Sequence, residues 1–317
     1  MKVLSLCDGM SCGQIALERS GIKVDEYYAA EIKEIGIRVT KANYPNTIHI
    51  GDVNKISYKD GVLYTEVGSF NVGKIDLVIF GSPCQTFSIA MKTELRIGLE
   101  DKQKSGLFLE CYRILKEVNP TYFLMENVAS MKKKDRDIIT EMMGIPPIRI
   151  NSEVVCPALR DRYYWTNIPN VVPPKRIDIK LQDVLTEGYT NRVKGHCMTV
   201  VDSRPLITPV KMFHRYHYKG FGNLIFINKE HYEKCVEYYD KHYRGTKANN
   251  IPVGETDIFD GVRFLNQTEL ERCQTVPEGY TKCLTRNEAA DVLGDGWTVD
   301  VIAHIFSFLP KGSEVHK

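Results

Sequence analysis

The 317-residue sequence has no CxxC pair, and its nine cysteines are an odd number. A zinc site or a disulfide framework is therefore not expected. No stretch approaches the roughly 18 consecutive apolar residues of a membrane span. The opening MKVLSLCDGMSC turns polar at Asp8, so no secretory signal is expected there. Internal repeats and low-complexity tracts are absent as well. A net charge of only +2 excludes a histone-like protein but leaves room for a local basic patch. Unpaired thiols persist in reducing compartments. The expectation is an intracellular, soluble protein of the cytoplasm or nucleoid, or of the nucleus if eukaryotic, with no metal and no membrane contact.

What is present is ordinary globular material: 43% hydrophobic and 26% charged residues. The length suits one large domain and a smaller one. Short apolar runs at 2–6, 24–32, 47–53, 74–84 and 121–128 read as strands. Helical spacing appears at 14–21, closed by Gly21, at 35–45, stopped by Pro45, and at 105–120, ended by Asn-Pro. Strand and helix alternate, which predicts an α/β fold with a doubly wound, mostly parallel sheet. After residue 168 the rhythm breaks at NIPNVVPPKRIDI, and an amphipathic helix returns at 298–309.

Doubly wound sheets place their sites at the carboxyl ends of the strands. Three candidates stand there early in the chain. The loop CDGMSCG opens a helix, with Asp8, Gly9 and Gly13, and Glu31 and Asp52 end the next two strands. A carboxylate so placed can accept from ribose hydroxyls, and Asp52 could meet an adenine amino group. Together they favour a nucleoside-containing cofactor over plain turn residues, although no G-x-G-x-x-G is present. The fourth strand runs into GSPCQTFS, which puts Cys84 at a turn made by Gly81 and Pro83. Most lone cysteines are small buried residues. One at a strand end is a candidate nucleophile if nearby positive charge lowers its pKa. The next strand carries MENV, with Glu126 as an acid partner. Arg160 and Arg162 in RDRYYWTN have strand spacing, so both could form one anion clamp.

The ordered set DGMSCG, Glu31, Gly51-Asp52, GSPCQTFS, MENV, RDR, VRFLNQTELERCQTVPEGYT and GDGWTVDVIAHIF resembles the DNA cytosine-5 methyltransferases. The wording of RDRYYWTN and of the last motif is similar to the animal de novo branch. The resemblance implies a Rossmann-like, S-adenosyl-L-methionine-dependent methyltransferase fold. It implies a catalytic domain at 1–168 and 290–317 and a target-recognition domain at 169–289. It implies that Cys84 attacks C6 of a flipped-out cytosine and that Glu126 bonds the base edge. Arg162, with Arg160 beside it, would stand nearest the base. S-adenosyl-L-methionine would be held by Asp8, Gly9, Gly13, Glu31, Asp52, Pro83, Leu107 and the loop Gly296, Trp297, Thr298. The partner would be double-stranded DNA, bound by a monomer. Two positions depart from the family pattern: Cys7 replaces a phenylalanine and Ala158 a glutamine.

Residues 211–247 hold eight Lys/Arg, four Asp/Glu and nine Phe/Tyr. Basic groups among aromatics suit phosphate and base contacts, with Lys219 and Arg244 as candidates. The plainer reading is an aromatic core with a solvated helix at 229–243. Rival functions are a transfer-RNA cytosine-5 methyltransferase of the same fold, an inactive DNA-binding paralogue, and a nucleotide-binding oxidoreductase. The pair Cys84 and Glu126 argues against the second. Cys84 and the missing glycine fingerprint argue against the third. An amino-directed methyltransferase would carry Asp/Asn-Pro-Pro-aromatic where this chain has Ser-Pro-Cys.

Overall fold

The computed structural model describes residues 1–81, 106–198, 202, 208–247, 250–251 and 257–310. Residues 2–166 build the main sheet, its first strands alternating with helices. Strand β1 (Lys2–Leu6) leads to α1 (Cys12–Arg19), then β2 (Glu26–Ala30), α2 (Glu34–Asn43) and the two-residue β3 (Ile48–His49). A small antiparallel sheet follows, of β4 (Ser57–Lys59), β5 (Val62–Thr65) and β6 (Gly68–Asn71). The main sheet resumes with β7 (Leu77–Gly81), α3 (Gly106–Val118), β8 (Tyr122–Val128), α4 (Lys133–Met143), β9 (Ile148–Asn151) and β10 (Asp161–Thr166).

The seven main strands lie in the order β3-β2-β1-β7-β8-β10-β9. The first five are mutually parallel; β10 runs antiparallel to both β8 and β9. Central strands β1 and β7 are almost wholly buried, as their mostly apolar sequences require. Leu4, Leu6, Val78, Phe80, Phe108, Ile114 and Met125 fill one core between sheet and helices. The doubly wound, mostly parallel fold expected from the sequence is present. Two expectations change. The strand at 47–53 shrinks to two residues because Gly51, with φ of 81°, turns the chain and Asp52 caps a short 3-10 turn. The hairpin sheet at 57–71 had no counterpart in the sequence reading.

The chain divides into two compact units. The first is Met1–Ser152, Asp161–Lys175 and Val299–Lys317; the second is Glu153–Arg160 and Arg176–Thr298. The second holds α5 (Pro209–Lys219), β11 (Leu224–Ile225), α6 (Lys229–Tyr243), β12 (Arg263–Phe264), α7 (Gln267–Cys273) and α8 (Arg286–Asp295). Its core gathers Phe213, Tyr216, Phe226, Tyr239 and Phe259. Most of those aromatics are therefore packing residues, as the plainer reading had it. The last helix, α9 (Val299–Phe306), belongs to the first unit and lies against α1. Among the described residues no helix is long and apolar enough to cross a membrane, and no cluster of three or more His, Cys, Asp or Glu is placed to hold a metal ion.

Candidate active site

The carboxyl end of β1 opens into Cys7–Ser11, where Cys7, Gly9 and Ser11 have φ of 55°, 63° and 61°. Such a backbone is easy for Gly9 and costs roughly 1–2 kcal/mol at each of the other two. A buried chain of side chains holds it. The Thr40 hydroxyl donates to Ser11 Oγ (3.1 Å), Ser11 donates to Asp8 Oδ2, and the Tyr27 hydroxyl donates to Asp8 Oδ1 (2.7 Å). Asp8 thus turns both carboxylate oxygens toward the protein. Burial raises its pKa above the ordinary carboxyl range, and the nearby charge of Glu31 adds to the rise against the hydroxyl donors. Cys7, at the position where the family pattern has phenylalanine, bonds the buried Cys111 thiol; that bond and burial push Cys111 well up.

Glu31 follows β2 and accepts three backbone N–H groups: Gly9 (2.7 Å), Ile32 (2.8 Å) and Lys33 (2.7 Å). A carboxylate has about four acceptor positions. Glu31 therefore locks the β1 loop to the start of α2 while retaining capacity toward a ligand. Beside it Ile32 is 70% exposed. A Cβ on Gly36 of α2 would stand 2.4 Å from the Gly9 carbonyl oxygen, so that helix lies directly on the loop. A Cβ on Gly13 would meet Ile79 Cδ1 at 2.4 Å and the Tyr27 hydroxyl at 2.9 Å, which makes Gly13 a helix-to-sheet packing residue. Gly9 has open space on its Cβ side. Asp52 accepts from the Asn54 backbone (2.9 Å) and side chain (2.8 Å), and its own N–H donates to Glu66 (2.8 Å) of the small sheet. Tyr27, Thr40, Gly36 and Glu66 were missed in the sequence because each acts through a distant partner.

Glu126 is placed by register. It sits opposite Gly81, the last residue of β7, and two residues before Val128, which faces Arg162. The period of two puts Glu126 and Arg162 diagonally on one face. Arg162 Nε meets Glu126 Oε1 at 2.7 Å, with the side chains 11% and 9% exposed. Arg160 does not share this strand. It precedes β10, is buried in the second unit, and donates to the Gly294 carbonyl (3.0 Å) and to Cys197 Sγ (3.3 Å). The clamp of two arginines on one strand is thus not what the backbone builds. Pro83 and Cys84 lie outside the described residues. Leu107 is the second residue of α3 and is half-buried against the core.

Gly296, Trp297 and Thr298 close the second unit. Gln274, which the sequence reading passed over, fixes this segment. Its side chain donates to the carbonyls of Leu293 (2.6 Å) and Gly296 (3.3 Å) and accepts from the Thr298 hydroxyl (2.9 Å). Lys219 ends α5 and Arg244 follows α6; both are exposed.

A family model for C-5 cytosine-specific DNA methylases matches residues 1–144. The type II methyltransferase M1.ScrFI of Lactococcus lactis subsp. cremoris is 33% identical over 319 residues, covering 95% of this chain and 76% of that protein. M.NgoBV of Neisseria gonorrhoeae is 32% identical over 148 residues, so this chain spans only 31% of its length. In fold, the chain is similar to a mutant of Spodoptera frugiperda DNMT2, with a TM-score of 0.61 at 19% identity over 97% of this chain and 98% of that one. Taken with the register of Gly81, Glu126 and Arg162 at the strand ends, the match along nearly the whole of this chain and 76% of the Lactococcus protein places this chain in the C-5 cytosine-specific DNA methylase family.

Proposed function

We propose that the chain transfers a methyl group from S-adenosyl-L-methionine to C5 of cytosine in double-stranded DNA. The observation that carries this reading is the Glu126–Arg162 pair, opposite the strand end that runs on to Pro83 and Cys84. The chemistry demands such a pair. Cytosine C5 is a poor nucleophile until a thiolate adds at C6, and Cys84 supplies the thiolate by its position in the sequence. One oxygen of Glu126 accepts from the 4-amino group, and a proton held between its other oxygen and N3 passes to N3 as the thiolate adds, which neutralises the negative charge that the addition creates. Arg162 fixes the carboxylate of Glu126 in one orientation. Loss of the C5 proton and departure of Cys84 then restore aromaticity. The target atoms are inaccessible inside a duplex, so the base is flipped out.

The β1 end fits the cofactor. Glu31, anchored on three backbone donors, is set for ribose hydroxyls, and exposed Ile32 offers an apolar face beside it. Gly9 leaves the backbone open to close approach. Asp52 and Leu107 complete the set in the first unit, and Asp8 and Gly13 support it from beneath. S-adenosyl-L-methionine, when bound, supplies an electrophilic methyl group. We assign catalysis to the first unit and target recognition to the second, with Lys219 and Arg244 on phosphates.

The test is incubation with plasmid DNA and labelled cofactor, followed by bisulfite sequencing. Label in DNA and protected cytosines at a fixed site are expected; label confined to RNA would overturn the substrate. Duplexes containing 5-fluorocytosine should trap a covalent complex through Cys84, because the C5 fluorine cannot leave as a proton does. Cys84→Ala should trap none.

A further inference from the structure

The two long helices of the second unit treat their charges differently. On α6, Lys229 pairs with Glu233 (3.5 Å) and Lys234 with Glu230 (2.7 Å), each at i,i+4. On α5, PVKMFHRYHYK contains no acidic residue. Lys211, Arg215 and Lys219 recur every fourth residue along it, so they share one face. The opposite face, with Val210, Phe213, His214 and Tyr216, is buried. Among the described residues none of these three basic side chains makes an ion pair. Asp240 reaches α5 through Tyr218 (3.4 Å) and His217 (3.8 Å), not through them. Like charges at this spacing repel and weaken a helix. Water and counterions screen such a stripe when the protein is alone, and a polyanion gains affinity by displacing them.

The stripe ends in an exposed aromatic. Phe221 is 62% exposed and stands between Gly220 and Gly222, both with positive φ and nothing within 4 Å of a Cβ at either. Its N–H donates to the Arg215 carbonyl (3.0 Å), which folds the loop back onto the helix end.

We infer that α5, through Lys211, Arg215 and Lys219, is the element of the second unit that lies along the phosphate backbone of duplex DNA, with Phe221 placed at its end against the bases. The partner follows from charge complementarity: cations in a row at about 6 Å per four residues suit a polyanion. An apolar side chain beyond them can touch base edges or wedge between steps. This rests on the reading of the chain as a DNA methyltransferase, and it assigns recognition to α5 instead of the charge-paired α6.

The experiment measures duplex affinity against salt for full-length wild type, for K211A/R215A/K219A, for K229A/K234A, and for Phe221→Ala. Each lost phosphate contact should flatten the slope of log K against log salt by about 0.9. The α5 triple variant should lose close to three such steps for every sequence, and the α6 variant none. Phe221→Ala should keep the slope and relax the site preference in bisulfite sequencing of a random library. An unchanged slope in the α5 variant, or an equal loss in the α6 variant, would overturn the inference while wild-type DNA methylation still stood. So would unaltered affinity and preference in Phe221→Ala, for that residue. A wild type that binds structured RNA along the same stripe and ignores duplex would overturn the DNA assignment and the functional reading with it. Circular dichroism of each variant separates lost contacts from lost folding.

Discussion

Asp8 illustrates how far one residue's role departs from its place in a motif. By position it belongs to the cofactor loop, yet both its oxygens accept hydrogen bonds from the hydroxyls of Ser11 and Tyr27. Its raised pKa has a measurable consequence. A carboxyl that binds its proton more tightly when folded contributes most in acid, and that contribution declines as pH rises from the ordinary carboxyl value through the raised one. Asp8→Asn cannot ionise, so its urea midpoint should gain on wild type across that window. A difference that stays constant with pH would refute this. Arg162→Ala should destabilise by about 3–5 kcal/mol, because it leaves a nearly buried carboxylate without its cation. Chemical denaturation measures it, and a loss under 1 kcal/mol would mean that the pair is solvated. The identity of Glu126 was legible from its place after an apolar run. The partnership with Arg162, and the different surroundings of Arg160, depend on the antiparallel β10, which no local pattern announces.

Elements were legible in proportion to their burial. Strands β1 and β7 and the first half of β8 are mostly apolar, and α3 and α9 are strongly amphipathic. The short β4–β6 sheet is half-exposed, and α4 is so polar that its period is faint; neither left a clear trace. Packing between elements was hidden most of all. Gly36 reads as a weak point in α2, where alanine would improve helix propensity by about 1 kcal/mol. Its contact is with rigid backbone at Gly9, so overpacking of about 1–3 kcal/mol should prevail. Gly36→Ala should therefore lower the melting temperature and weaken cofactor binding measured by calorimetry; a stabilised variant with unchanged affinity would refute it. Helix α9 offers a contrast of forces. Its Asp300 accepts a hydrogen bond from the Arg19 guanidinium of α1 at 2.6 Å, half-exposed on both sides, while Phe306 is fully buried. Phe306→Ala should cost about 3–5 kcal/mol and Arg19→Ala less than 1 kcal/mol. Equal losses in thermal unfolding would contradict this.

At the scale of the molecule, the second unit is not a contiguous insert. It needs Glu153–Arg160, which precedes β10. Lys194 Nζ donates to the carbonyls of Glu153 (2.9 Å), Cys156 (3.1 Å) and Ile179 (2.6 Å), and Gly195 exchanges backbone bonds with Pro157 and Leu159 (2.7 and 2.8 Å). A fragment of residues 176–298 should therefore melt earlier than one that also carries 153–160, by circular dichroism. Equal melting would show that the short segment is passive. The first unit shares this dependence in reverse, since α1 waits for α9. That wait has a duration. During synthesis, residues 176–298 are made between β10 and α9, which at about 5–20 residues per second takes roughly 6–25 s. Throughout that interval the sheet can form while the face of α1 that α9 covers stays open to solvent. Helix α9 is thus the element that closes the first unit, and a nascent chain stalled before Val299 should be bound by general chaperones more strongly than one stalled after the helix has emerged.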